Sequence, residues 1–175
     1  MSKRRVSEVL SLENRVLLER LSEFEKALTR NSVNSLQEIV RSFEEYLDLH
    51  RRKEEEGLFP VMVKRLPGHG EPVTRRRLTG RQHGERLKEV RDLIQRGQRG
   101  KFLYEGTLFV TVLREHLQGA DTLLFPLAER LLSPEEWEQV RAACDSISSS
   151  ERRVARESGI GIRTPGPLLV QGEDR

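Results

Sequence analysis

The chain has little cysteine, since Cys144 is the only one among its 175 residues. A single thiol excludes an internal disulfide, and it also excludes a metal cage built from several cysteines. A metal site in this protein would therefore use nitrogen and oxygen ligands.

Aromatic residues and long apolar runs are also scarce. Aromatic side chains make up 5% of the sequence, and the net charge is only +3, with 31 basic and 28 acidic residues interleaved. The basic clusters have no aromatic neighbours of the kind that stack on nucleic-acid bases. No stretch approaches the roughly 20 apolar residues of a membrane span. We expect a soluble, cytoplasmic protein with no nucleic-acid partner and no membrane partner.

Apolar residues recur at steps of three and four in four successive segments, which begin near residues 6, 35, 73 and 102. Short breaks separate these segments, and two of the breaks are rich in glycine or proline. This pattern predicts an all-α protein, an up-down-up-down four-helix bundle. His69 falls in one of the breaks, where we expect it to be solvated.

A short fifth helix is predicted to follow the bundle. Ser133-Pro134-Glu135-Glu136 combines an N-cap serine, a proline at the first helical position and a glutamate at the third. We assign residues 1–148 to the bundle with this fifth helix. The polar segment 149–175, rich in glycine and proline towards its end, is predicted to be a flexible tail.

One motif occurs twice, as a histidine followed after seven residues by Leu-Phe-Pro. The copies are His50 with Leu58-Phe59-Pro60 and His116 with Leu124-Phe125-Pro126. Because each proline lies inside a helical pattern, we expect a kink or local unwinding just beyond each histidine-bearing turn.

Each copy of the motif also contains a carboxylate. Glu54 lies four residues after His50, so both project from one helix face. Asp121 lies five residues after His116 and diverges more, which suits a carboxylate that bridges two ions. His83 lies on the apolar face of the third segment. Each residue alone has a simpler structural explanation, but burying all five together is costly unless a cation compensates them.

The motifs resemble those of the hemerythrin-like family, also called HHE cation-binding domains, from about Leu10 to Trp137. The second-helix motif His50 to Pro60 is the most specific. The other similar stretches are Leu12-Glu13-Asn14-Arg15, Gln82-His83-Gly84-Glu85 and Arg114-Glu115-His116 through Pro126.

The resemblance implies a non-haem di-iron centre in a four-helix bundle, which binds oxygen, senses oxygen, nitric oxide or redox state, or handles iron. It implies that His50 binds one iron and that His83 and His116 bind the other. Glu54 and Asp121 would bridge the two ions. Manganese or zinc also suits such oxygen-rich coordination.

The chain departs from the family at two positions. Asn14 stands at the first-helix histidine position, and Thr79 stands where oxygen-carrying members have another histidine. An amide is a weaker ligand than imidazole, so the site near His50 should lose its metal first.

Asn14 also favours an alternative function, a bundle that has lost its metal and serves as a structural or interaction module. A di-metal enzyme with peroxidase-like or oxidase-like activity is a third hypothesis, for which the sequence names no further residue.

Overall fold

The computed structural model describes residues 6–30, 32–66 and 70–157, and these residues form helices without a strand. In chain order the elements are α1 (Val6–Arg30), α2 (Val33–Arg52), the π-helix π1 (Lys53–Leu58), α3 (Phe59–Val63), α4 (Glu71–Gln95), α5 (Arg99–Gly119), the π-helix π2 (Ala120–Leu124), α6 (Phe125–Leu131) and α7 (Pro134–Glu157). No described helix is long and apolar enough to cross a membrane.

Four long helices form the bundle that the apolar pattern predicts. Helix α1 packs against α2, α2 against α4, α4 against α5, and α5 against α1, which closes a ring. The connections between them are short, so consecutive helices run in opposite directions. The all-α bundle is therefore confirmed.

Two apolar clusters fill the interior of the bundle. One surrounds Phe109, whose ring meets those of Phe24 and Phe43 edge-on at centroid distances of 6.0 and 5.8 Å. The other lies around Leu58 and Phe59, beneath α7. Asn14 of α1, His50 of α2 and His83 of α4 fall between these clusters along their helices. His116 of α5 lies at the end of the first cluster and meets the ring of His83, so these residues share one layer.

Each Leu-Phe-Pro motif begins at the last residue of a π-helical turn, Leu58 in π1 and Leu124 in π2. Phe59 N–H bonds to the carbonyl of Glu54, and Phe125 N–H bonds to the carbonyl of Ala120, five residues back in both cases. After each π-helical turn the backbone continues as an α-helix, α3 after π1 and α6 after π2. The distortion lies just beyond each histidine and before each proline, as the position of the prolines predicted, and it takes the form of a π-helical turn. A wider turn there accommodates a proline that lacks an N–H and crowds the preceding turn.

The fifth helix is present and, at 24 residues, is longer than expected. Ser133 and Glu136 form the predicted capping box, with Ser133 N to Glu136 Oε2 at 2.8 Å and Glu136 N to Ser133 Oγ at 3.3 Å. Helix α7 continues past residue 148, where an ion pair between Arg52 and Glu151 ties it to α2. The predicted boundary at residue 148 is therefore wrong, because residues 149–157 continue α7 as helix. Residues 158–175 and His69 lie outside the described residues, so the flexibility of 158–175 and the solvation of His69 stay predictions.

Helix α7 packs directly on π1. Gly57 permits this approach, because a Cβ built there would lie 3.1 Å from Cys144 Sγ. The turn that bears Glu54 is thus covered by the fifth helix.

Candidate metal centre

A layer of buried polar side chains separates the two apolar clusters. Asn14, His50, Glu54 and His83 are each at most 7% exposed. The side chain of His116 is 11% exposed. Polar groups buried to this extent destabilise the fold unless each finds a partner.

Glu54 lies at the centre of this layer. Its Oε1 is 3.7 Å from Nε2 of His50, and its Oε2 is 4.0 Å from Nε2 of His116. Two donors that each bind one ion at about 2.1 Å stand at most about 4.2 Å apart, so either pair is close enough to share an ion. Glu54 therefore faces the two histidines with different oxygens, as a carboxylate that bridges two ions does.

His83 and His116 meet edge-on, with ring centroids 4.8 Å apart and planes at 78°. Burial, followed by the positive charge of Arg76, lowers the pKa of His83 to about 4 and that of His116 to about 3. Both imidazoles are consequently neutral at pH 7, the state in which histidine binds metals. Nε2 of His83 is buried and has no hydrogen-bond partner among the described residues.

The contact with Thr79 fits the Nδ1–H tautomer of His116. The Thr79 hydroxyl donates to the backbone carbonyl of Arg76 at 2.9 Å, so it accepts from Nδ1–H of His116 at 3.4 Å. Nε2 of His116 then carries the lone pair that faces Glu54. Thr79 thus contacts the ring of His116 on the side away from Glu54.

His50 is held by a carboxylate of the first helix. Its Nδ1 lies 3.1 Å from Oε2 of Glu13, whose other oxygen accepts a hydrogen bond from Lys53. Burial alone would lower the pKa of His50, but the carboxylates of Glu13 and Glu54 on either side raise it to about 9. Nε2 of His50 has no hydrogen-bond partner among the described residues. A carboxylate behind a ligand histidine is the usual way in which proteins fix its orientation.

Asn14 and Asp121 form a separate pair at the edge of the layer. Asn14 Nδ2 donates to the carbonyl of Leu117 at 3.1 Å and to Oδ1 of Asp121 at 3.2 Å, and Ser11 donates to the same Oδ1 at 2.8 Å. Asp121 is thereby held by α1. No hydrogen bond or ion pair of the described residues joins it to His50, Glu54, His83 or His116.

Arg76 enters the layer from α4, a position that the sequence reading missed. Its guanidinium lies 3.4 Å from Oε1 of Glu54 and donates to the carbonyl of His116 at 3.1 Å. Burial opposes ionisation of Glu54, but His50 and Arg76 together lower its pKa to about 2. A run of three arginines, Arg75-Arg76-Arg77, is typical of a solvated helix face, yet Arg76 lies seven residues, or two turns, before His83. That spacing places Arg76 on the same face of α4 as His83, and it is the feature of the sequence that could have predicted its burial.

The chemistry of the donors fits a divalent cation. The unpartnered Nε2 atoms of His50 and His83 and the unpartnered Oδ1 of Asn14 are all buried in one layer. Imidazole nitrogens and carboxylate oxygens suit iron, manganese and zinc. Within residues 6–30, 32–66 and 70–157, however, no three His, Cys, Asp or Glu side chains form a group compact enough to hold an ion as they stand. The structure brings His50, Glu54, His83 and His116 together and leaves Asp121 at the edge.

Comparison with known proteins gives one match. Residues 5–128 match the model of a protein family described as the hemerythrin HHE cation binding domain. The matched segment runs from the start of α1 into α6 and contains the whole polar layer. No curated protein and no solved structure matches the chain.

Proposed function

Because the chain belongs to the hemerythrin HHE cation-binding domain family, we propose that it is a non-haem iron protein that binds or senses a diatomic ligand, oxygen or nitric oxide. The observation that carries this proposal is the position of Glu54, whose two oxygens face His50 and His116 separately. Manganese or zinc is the alternative metal. A cytoplasmic location stays a prediction from the sequence.

We assign the ligands to two halves of the layer. His50 would bind one ion, His83 and His116 the other, and Glu54 would bridge them. Asp121 would join as the second bridge by exchanging its hydrogen bonds with Ser11 and Asn14 for the metal. Bound iron would supply redox chemistry and an open coordination position for a small ligand.

The chain's own groups orient these ligands and keep water away from them. Glu13 holds the ring of His50, and Thr79 holds that of His116. The apolar clusters above and below the layer exclude solvent, which strengthens every electrostatic interaction inside it. The rings of His50 and His116 are therefore oriented before a metal enters.

A second candidate function also has an observation in its favour. Arg76 already provides Glu54 with a positive charge, so the bundle has a compensated interior without any metal. A metal-free bundle that serves as a structural or interaction module is consistent with that contact.

Metal content separates the two functions. The protein purified from iron-replete cells, and after anaerobic incubation with Fe²⁺, should contain iron by elemental analysis. Its optical spectrum should change on exposure to oxygen or nitric oxide. Glu54→Gln should lose the metal, whereas Glu56→Gln, an exposed carboxylate two residues away, should retain it.

Chelation provides an independent readout. A ligand at about 100 times its Kd stabilises a fold by about 2.7 kcal/mol. For a chain of this length, removal of the metal should lower the Tm by roughly 5–10 °C. Wild-type protein that takes up no Fe²⁺, Mn²⁺ or Zn²⁺ would rule out the metal function and favour the metal-free bundle.

A further inference from the structure

The environment of Arg76 differs from that of an ordinary surface arginine. Its side chain is 12% exposed and that of Glu54 is 4% exposed, so the pair is shielded from water. The same guanidinium donates to the carbonyl of His116 and so joins α4 to both π1 and α5. Arg76 thus lies within the candidate metal layer although it cannot be a ligand, because a guanidinium keeps its proton.

The contact with Glu54 is also incomplete. Arg76 Nε is buried and has no hydrogen-bond partner among the described residues. The distance of 3.4 Å to Oε1 is long for a charge-assisted hydrogen bond. The bond to the His116 carbonyl, at 3.1 Å, is shorter. The guanidinium can therefore stay anchored to α5 while its contact with Glu54 changes.

A buried carboxylate needs a cation nearby. Oε1 of Glu54 has two neighbours, the guanidinium of Arg76 at 3.4 Å and Nε2 of His50 at 3.7 Å, and only the guanidinium carries a permanent positive charge. A metal ion bound to His50 and Glu54 would occupy the space next to Oε1 and repel the guanidinium. The metal and Arg76 are consequently alternative partners of one oxygen.

We propose that Arg76 is an internal counter-cation that neutralises Glu54 in the metal-free protein and competes with a metal ion for this carboxylate. Arg76 then stabilises the metal-free fold and lowers the affinity of the centre for metal, so that occupancy depends on the metal concentration. This inference rests on the proposed metal function and concerns its regulation. It makes the two candidate functions two states of one protein.

The test compares Arg76→Gln with Arg75→Gln, which removes an exposed charge from the preceding position of α4. Each metal-free protein is titrated with Mn²⁺ and with Zn²⁺ against a chromophoric chelator, and its Tm is measured in the presence of a chelator. Arg76→Gln should bind metal at least about tenfold more tightly than wild type, since one repulsive charge beside the ion is gone. Its metal-free Tm should fall by roughly 5–10 °C, because Glu54 loses its partner. Arg75→Gln should change neither value.

A second variant keeps the test decisive if Arg76→Gln is too unstable to titrate. The double variant Glu54→Gln with Arg76→Gln has no carboxylate at position 54 to neutralise. It should therefore recover most of the Tm that Arg76→Gln alone loses. Arg76→Lys, which keeps the charge, should retain most of the metal-free stability. If the double variant is no more stable than Arg76→Gln, the role of Arg76 is packing and the inference is wrong.

The outcomes also separate this inference from the proposed function. Wild type that binds metal with the same affinity as Arg76→Gln overturns the inference and leaves the metal function intact. Wild type that binds no metal while Arg76→Gln does overturns the proposed function and supports the inference. If neither protein binds metal, both are wrong.

Discussion

Oε2 of Glu13 lies 3.1 Å from Nδ1 of His50, so a carboxylate of the first helix orients an imidazole of the second. The adjacent residue, Asn14, donates to the carbonyl of Leu117 and to Asp121. The first helix thus contacts the polar layer through two neighbouring side chains. The contact also leaves Nε2 of His50 directed towards Glu54.

Glu13→Gln should weaken metal binding on the His50 side by about ten- to hundredfold, the usual effect of removing a carboxylate behind a ligand histidine. The metal-free protein should also lose stability, because Lys53 is buried and pairs with Glu13. Metal titration and thermal melting check the two effects. The exposed Glu19→Gln is the control. Unchanged affinity in a folded Glu13→Gln protein would show that Glu13 pairs with Lys53 and does not support a metal ligand.

Asn14→His should raise the metal stoichiometry towards two ions per chain, since an imidazole would replace a weak amide at a fully buried position. The substitution also removes the amide bonds to Leu117 and Asp121. Asn14→Leu removes these bonds without adding a ligand, so it is the matched control. Elemental analysis after reconstitution measures the gain. The prediction is wrong if both variants fold and hold equal amounts of metal.

Two glycines in helices should respond in opposite ways to alanine. Gly84→Ala, with no atom within 4 Å of the added Cβ, should stabilise the protein by about 0.5–1 kcal/mol through helix propensity. Gly57→Ala places its Cβ 3.1 Å from Cys144 Sγ and should destabilise the protein by about 1 kcal/mol through overpacking. Urea unfolding measures both. Cys144→Ala should restore part of the loss in the Gly57→Ala background, and strictly additive effects would contradict this contact.

Burial raises the pKa of the Cys144 thiol from its ordinary value of 9 to about 11. The folded protein should accordingly react with iodoacetamide at pH 8 about a hundredfold more slowly than the urea-unfolded protein, because the thiolate is the reactive form. Because the thiol is the weaker acid in the folded state, its protonation also contributes to the free energy of unfolding. This contribution is fully present below pH 9 and is lost as the pH rises towards 11, since only the unfolded chain ionises in that window. Alkylation timed by mass spectrometry, with unfolding curves of wild type and Cys144→Ala, checks both points. Equal labelling rates in the folded and unfolded protein would contradict them.

The fold followed from local periodicity, which is why it could be predicted. Steps of three and four set the buried face of each helix, and the same stripe that buries Leu47 carries His50 and Glu54 inward. Asn14 lies at helical spacing from Leu10 and Leu17, and like them it is buried. For these residues, position along one helix determines burial.

The remaining features depend on side chains from different helices, which no local pattern encodes. Asp121 was predicted as a ligand from its spacing to His116, but its bonding partners, Ser11 and Asn14, come from α1. Arg76 belongs to an arginine run that is typical of a solvated surface. Its burial becomes evident only once α4 is placed against π1 and α5.

The two π-helical turns impose a counting constraint on the motif in which they lie. Each already holds one residue more than an α-helical turn, so deletion of a single residue between Glu54 and Phe59 would restore regular α-helical hydrogen bonding and leave the residues downstream near their present orientation. An inserted residue would rotate everything downstream by about 100°. Phe59 and Met62, both buried, would then turn away from the interior although no loop had changed length. Insertions and deletions that loops ordinarily absorb should therefore be tolerated between α1 and α2 or between α4 and α5. Between His50 or His116 and its Leu-Phe-Pro, an inserted residue would disrupt the core.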